Sequence, residues 1–342
     1  MAIRKPIPFT KLIDALLDDS TPFSPRYLHR LSDLAPADVT ILAENWPKIS
    51  ARRRQALLED MEEMHIEDDL LSFEEVARLA LKDSEPGIRQ RAIHILREYE
   101  LVDLLPTFIH MSETDPDTGV RAASAAALAT YVYMGEVEDI APHKLLRVEE
   151  CLLRLVSSED ATLVRRRALE ALGFSSRKEV APLIESAFAS ADDDWLVTAL
   201  FAMGRSANSR WKSHVLKMLD HPRPPVRAEA ASAAGELEIK AAVPKLIELL
   251  EDVDMDVRMA SIWALSQVGG PGVRSALENM LESTDYDEEA HQIENALDNL
   301  DFTEEMQDLA LMDLSDDGNG ADESSEFDDD EDFDDFDSED EA

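Results

Sequence analysis

A single cysteine, Cys151, stands in 342 residues. That excludes an intrachain disulfide and a cysteine-built metal cluster, and it suits a reducing compartment. No run approaches the roughly 18 consecutive apolar residues of a membrane-spanning helix. The opening MAIRKPIPFTKLIDALLDD has basic residues but no long apolar core ahead of its acids, so it does not read as a secretory signal. These absences lead us to expect a cytoplasmic protein without a membrane association. Basic residues are scarce: 33 Lys and Arg face 74 Asp and Glu, a formal net charge of -41. Residues 275–342 hold 29 acids and neither Lys nor Arg. This balance disfavours nucleic-acid binding through a broad cationic surface and suits a basic protein partner or plain solubility.

The eight histidines, His29, His65, His94, His110, His143, His214, His221 and His291, include no pair at i,i+4, and none is followed by Glu. A metal centre needs several donors brought together, so no metal and no cofactor is expected. His143 reads as an ordinary surface or packing residue.

What the chain has is a repeat. VRAEAASAAG begins at Val226 and VRMASIWALS at Val257, so Arg227 and Arg258 lie 31 positions apart. Steps of 31 backward from Arg227 reach Leu196 in WLVTALFAMG and Arg165 in VRRRALEALG. Looser copies hold Arg89 (IRQRAIHILREY) and Arg121 (VRAASAAALATY), and HQIENALDNL is a degenerate last copy. Such a period points to a helical solenoid. Val257, Ser261, Ala264, Leu265 and Val268 share one side at helical spacing, and Val243, Leu246, Ile247, Leu249 and Leu250 make a second apolar stripe. Pro182 and Pro244 suit a first helical turn, where a missing N–H costs little. Two helices therefore fit in each period. Neither would be stable alone at about 10–14 residues, so stacking must supply the missing burial. Ala230, Ala233 and Ala234 permit close helix contact, and Gly173, Gly204 and Gly235 recur at one position, which suggests close backbone approach.

The pattern resembles the HEAT-like repeat family, in the short form also found in phycobilin lyases. VRAEAASAAGELEIKAAVPKLIELLED followed by VRMASIWALSQVG carries the resemblance. It is strongest over residues 160–270 and extends over 75–300. It implies an all-α, α-α superhelix, an alpha-solenoid. It also implies a structural role near the inter-repeat turn for the arginine after the first apolar residue, here Arg89, Arg121, Arg165, Arg227 and Arg258. Asp254 and Asp256 are expected to pair with this class of arginine, and Leu196 interrupts the series. The spacing from Arg121 to Arg165 is 44, with the surplus around GEVEDIAPHKLLRVEECLLRL, read as a longer loop, an extra helical turn or an irregular helix pair.

The expected organisation is a helical N-terminal cap over 1–74, repeats over 75–300, a terminal helical segment over 301–314 and a disordered acidic tail over 315–342. In the cap, Arg52–Arg54 read as a solvated helix face beside Glu59, Asp60, Glu62 and Glu63. Trp46 and Trp211 read as packing residues. The tail holds 16 acids among residues 315–342, too charged to collapse. Phe327, Phe333 and Phe336 within it are candidates for docking on an apolar patch, set against a purely solubilising role.

The function this favours is a noncatalytic interaction scaffold or adaptor for a protein or peptide partner. One alternative is a phycobilin lyase-like enzyme or chromophore-handling chaperone, for which Cys151 in CLLRL is the one nucleophile and buried packing its simpler role. Another is a HEAT-like DNA glycosylase or nucleic-acid-associated protein, to which Trp195, Trp211, Asp192 and Asp194 invite comparison without a dense basic track around them. A related HEAT-like hydroxylase family holds a di-iron centre on repeated His-Glu pairs, and this sequence has none.

Overall fold

The computed structural model describes residues 7–68 and 70–316. Among them there are helices and turns but no strand. The helices are α1 (Phe9–Leu17), α2 (Pro36–Asn45), α3 (Ala51–Glu67), α4 (Glu74–Ala80), α5 (Pro86–Leu96), α6 (Leu105–Thr114), α7 (Thr118–Glu136), α8 (Pro142–Val156), α9 (Thr162–Ala171), α10 (Val180–Phe188), α11 (Asp193–Arg205), α12 (Lys212–Met218), α13 (Pro224–Glu236), α14 (Val243–Leu249), α15 (Met255–Val268), α16 (Val273–Ser283) and α17 (Asp287–Asp316). Phe327, Phe333 and Phe336 lie outside the described residues, as does all but the start of the acidic tail. The boundary expected at residue 300 falls inside the unbroken α17.

From α4 onward the helices alternate between two rows. The odd-numbered helices α5 to α17 form one row, in which each packs on the next. The even-numbered helices α4 to α16 form the other; each packs on the odd-numbered helix that follows it and touches its own row only sparsely. We term the more closely packed odd-numbered row the inner row.

Small residues make that inner row tight. Ala230, Ala233 and Ala234 on α13 are buried, as are Ser261, Ala264 and Leu265 on α15. Ser261 returns its hydroxyl to the Val257 carbonyl, so it adds no unpaired donor to the seam. The recurring glycines mark the closest approaches. A Cβ built on Gly204 would stand 3.2 Å from Ala233 Cα, and one on Gly235 would stand 2.9 Å from Ala264 Cα. Gly173 meets Ala202 Cα at 3.0 Å in the same way.

The turns after α5, α7, α11, α13 and α15 each carry a residue at positive φ, Glu100, Glu138, Ala207, Glu238 and Gly269, at 51°, 66°, 49°, 47° and 60°; the turn after α9 carries none. The 44-residue spacing resolves into longer helices in both rows. α7 has 19 residues against 11 in α5, and α8 has 15 against 10 in α6. Within the N-terminal helices Leu12, Leu16, Leu42, Leu58, Met61 and Phe73 are fully or almost fully buried. Trp46 and Trp211 are both core residues. His143 is exposed at the start of α8.

Candidate functional site

At the edge where an outer helix turns into the next inner one, arginines and acids interlock. Arg89 donates Nε and Nη2 to the two Asp115 oxygens at 2.9 and 2.8 Å, and Nη1 to the Asp83 carbonyl at 2.8 Å. Arg121 repeats this with the Asp160 carboxylate, at 2.9 and 2.7 Å, and the Asp115 carbonyl. Arg227 does so with Asp252, at 2.8 Å to each oxygen, and the His221 carbonyl. Arg258 reaches Glu289 at 2.6 Å and the Asp252 carbonyl at 2.9 Å. Two parallel charged bonds in a fixed fork are the strong form of this interaction.

The acid has a second task. Asp83, Asp115 and Asp252 each accept the N–H of the residue two positions on, closing their own turn. The ladder is therefore written in DSEPGIR (83–89), DPDTGVR (115–121) and DVDMDVR (252–258). In each, the arginine holds its own turn by the carbonyl of the first Asp, whose carboxylate holds the preceding repeat's arginine. Hydrogen bonds from Arg121 to Asp160 and from Arg227 to Asp252 hold those carboxyls below their ordinary pKa. Burial opposes the same shift at Asp115, but the bonds from Arg89 and the Asp117 N–H outweigh it.

Two expectations change here. Asp254 and Asp256 are not the ladder's acids. Asp254 caps α15 by accepting the Asp256 and Val257 N–H groups, and the forked acceptor is Asp252, two residues earlier. Nor do all of Arg52–Arg54 lie on a solvated face. Arg52 is exposed, but Arg53 donates to the Asp18 and Thr21 carbonyls. Arg54 is buried, with Nε 2.8 Å from Asp83, and Nη1 bonds the Ile49 carbonyl. Asp83 also accepts the Trp46 indole N–H at 2.7 Å. Arg54 is thus a further rung, one that no VR pair announces; its signal is the Asp six residues before Arg89.

The ladder breaks between residues 161 and 221. The equivalent seven-residue stretches are SADDDWL (190–196) and HPRPPVR (221–227). Ser190 and His221 still close their turns, accepting the N–H of Asp192 and Arg223. Neither side chain is an acid. Arg165, whose acceptor position falls on Ser190, turns its Nε to the Val156 carbonyl at 3.1 Å and lays its guanidinium over Trp195 at 5.5 Å. In place of rungs, α9 and α11 share a polar network. Arg166 Nε donates to Thr198 Oγ1 at 2.9 Å, Thr198 donates to Glu170 at 2.8 Å, and Arg167 pairs with Glu170. Thr198 and Glu170 are buried.

Beside this network a groove of about 740 Å³ runs across α5, α7, α9 and α11 on the inner row. Alanines, Ala126 and Ala129 among them, form part of its lining. Phe174, Phe201, Arg97, Arg167 and Arg205 also line it. Arg205 sits 5.0 Å from both the Phe174 and Phe201 rings and pairs with Glu236 at 3.2 Å. Nearby, burial pushes the Glu229 carboxyl up to about 7, aided by Glu170 and Glu236 and opposed by Arg205 and Arg167.

Residues 213–298 match the family model for HEAT repeats. That stretch carries HEAT repeats, and it lies within an all-α solenoid of described residues. No curated protein matches it. Among solved structures, YibA of Escherichia coli is 18% identical, over 83% of this chain and 99% of its own, with a TM-score of 0.42. The complex of CpcE and CpcF of phycocyanin lyase from Nostoc is 19% identical, over 66% and 94%, at 0.45. Human deoxyhypusine hydroxylase in complex with glycerol is 20% identical, over 86% and 96%, at 0.36. These are likenesses of fold only.

The solenoid holds no cluster of three or more His, Cys, Asp or Glu suited to a metal ion among its described residues. Cys151 is buried on α8, and burial pushes its thiol up to about 11, far from the depressed values of reactive cysteines. Trp211 is core, Asp192 caps α11, and Asp194 pairs with Arg166. These residues, with Trp195 against Arg165, form no common cleft with a basic track. Among the described residues no helix is long and apolar enough to cross a membrane.

Proposed function

We propose that this HEAT-like protein is a noncatalytic interaction scaffold whose inner-row groove receives an extended protein or peptide segment. The observation that carries this is the groove itself: four successive helices share one surface, open at its alanines and edged by phenylalanine and arginine. Aromatic rings and guanidinium groups are the side chains most often found as binding anchors. Each groove arginine has an acid beside it (Glu98, Glu170 or Glu236), so the surface suits a segment of mixed polarity rather than a polyanion. The buried thiol of Cys151 gives no support to the lyase-like alternative.

The test is capture of partners from native lysate on full-length protein and on Ala126→Arg, which places a long side chain on the groove's partly exposed floor. The expected outcome is a defined set of proteins retained by the wild type and lost by the variant, with unchanged helicity and melting. An identical set on both, or none on either, rejects the groove as the binding surface.

A further inference from the structure

The break in the ladder leaves an arginine prepared for a carboxylate that none of the described residues supplies. Arg165 occupies the same sequence position as Arg89, Arg121, Arg227 and Arg258. Each of those holds an acid from the following repeat. The acceptor lies 26 residues on for Arg89 and 25 for Arg227, and 25 residues after Arg165 stands Ser190. The acid stands six positions before the next arginine position in DSEPGIR and DVDMDVR, and Ser190 stands six positions before Leu196. Both counts agree, so Ser190 keeps the turn-closing half of the acid's role and drops the pairing half.

A cleft of about 330 Å³ opens at this place, between α9, α10 and α11. Arg165, Ser157, Ser186 and Ser190 give it polar groups, and Trp195 and Leu183 give it apolar walls. Arg165 uses only Nε on the protein, so its two terminal nitrogens, the end-on fork of the guanidinium, carry no carboxylate among the described residues. Positions 165 and 169 face away from 163, 167 and 170 on the α9 surface, so this cleft and the inner-row groove lie on opposite sides of that helix.

We propose that the Arg165 cleft is a guest site for a peptide carboxylate, taken as an acidic side chain next to an aromatic or aliphatic one. The acid completes the rung on the Arg165 fork, and its apolar neighbour packs on Trp195 and Leu183. The chain carries this chemistry three times itself, in Glu326-Phe327-Asp328, Asp332-Phe333-Asp334 and Asp335-Phe336-Asp337. A segment of another protein with the same alternation presents the same groups.

The probe is a labelled peptide of residues 323–340, titrated by fluorescence anisotropy onto two full-length proteins: the wild type and a variant with Phe327, Phe333 and Phe336 changed to Ser. Binding to that variant is expected to weaken at least tenfold when Ser190→Asp or Arg165→Ala is added. Ser190→Asp supplies the missing acid internally, so it should also raise Tm by a few degrees while it excludes the guest. Tighter peptide binding to the triple-Ser protein than to the wild type identifies the chain's own tail as the guest. Equal binding identifies a segment of another molecule. No binding to either protein overturns the proposal. So does binding untouched by Ser190→Asp and Arg165→Ala, or a Tm lowered by Ser190→Asp.

Discussion

Repeats on either side of residues 161–221 are joined at their edges by arginine–acid rungs; the repeats within that stretch are not. Both regions keep the alanine seam and the glycine approach, since Gly173, Gly204 and Gly235 meet their neighbours alike. Close packing and edge pairing are thus separable. The seam sets the distance between helices, and the rungs fix one turn against the next. Where the rungs stop, the interface carries a buried polar network instead, Arg166–Thr198–Glu170–Arg167, and there the Arg165 cleft and one end of the groove occur.

The comparison breaks most readily at its buried end. Asp83→Ala would strand Arg54 without its partner and leave the Trp46 N–H unpaired, at a cost of about 3–5 kcal/mol read by urea unfolding. A loss below about 1 kcal/mol would mean that this rung behaves as a surface pair and that the ladder does not tie the N-terminal helices to the repeats. Next come the two arginines at one repeat position. Arg227→Ala removes two charged bonds to Asp252 and two to backbone carbonyls, for about 2 kcal/mol. Arg165→Ala removes one carbonyl bond and a ring contact, for about 0.5–1 kcal/mol. Equal melting shifts for the two would erase the distinction drawn here.

A last contrast, between a raised carboxyl and the rung carboxylates, concerns pH. The folded Glu229 carboxyl lies near 7, above its ordinary 4.5, so the unfolded chain gives up that proton first. The stability it contributes is full below about 4.5 and is lost as pH rises through 7. Glu229→Gln should therefore change nothing at pH 4 and add on the order of 2 kcal/mol at pH 8. The rung carboxylates act in the opposite sense: Asp160 and Asp252, held low, contribute above their unfolded pKa and lose it as acid is added. A wild-type and a variant profile that run parallel from pH 4 to 8 would exclude Glu229 as the group responsible.

The fold could be read in the sequence because spacing and side-chain size repeat together: a 31-residue step, an arginine after an apolar residue, and alanine at the seam. The ladder was half visible. Its donors stand in a recurring VR pair, but its acceptors stand six residues earlier among many other acids, and only the fork geometry separates Asp252 from Asp254. Arg54 reads as part of a solvated face because its partner Asp83, not its own neighbourhood, carries the pattern. The groove was not visible at all. It is made by residues from four helices, Gln90 through Arg205, whose meeting depends on how the inner row stacks.

One feature of the turns bears on how far this protein is from its own optimum. Gly269 stands at positive φ in its turn, as Glu100, Glu138, Ala207 and Glu238 do in four other repeats. A side chain in that region costs about 1 kcal/mol relative to glycine. Four such positions hold a reserve that a consensus array would recover by writing Gly in each. Selection has left that reserve unspent, and its recovery gives a route to a hardier solenoid without touching the seam, the rungs or the groove.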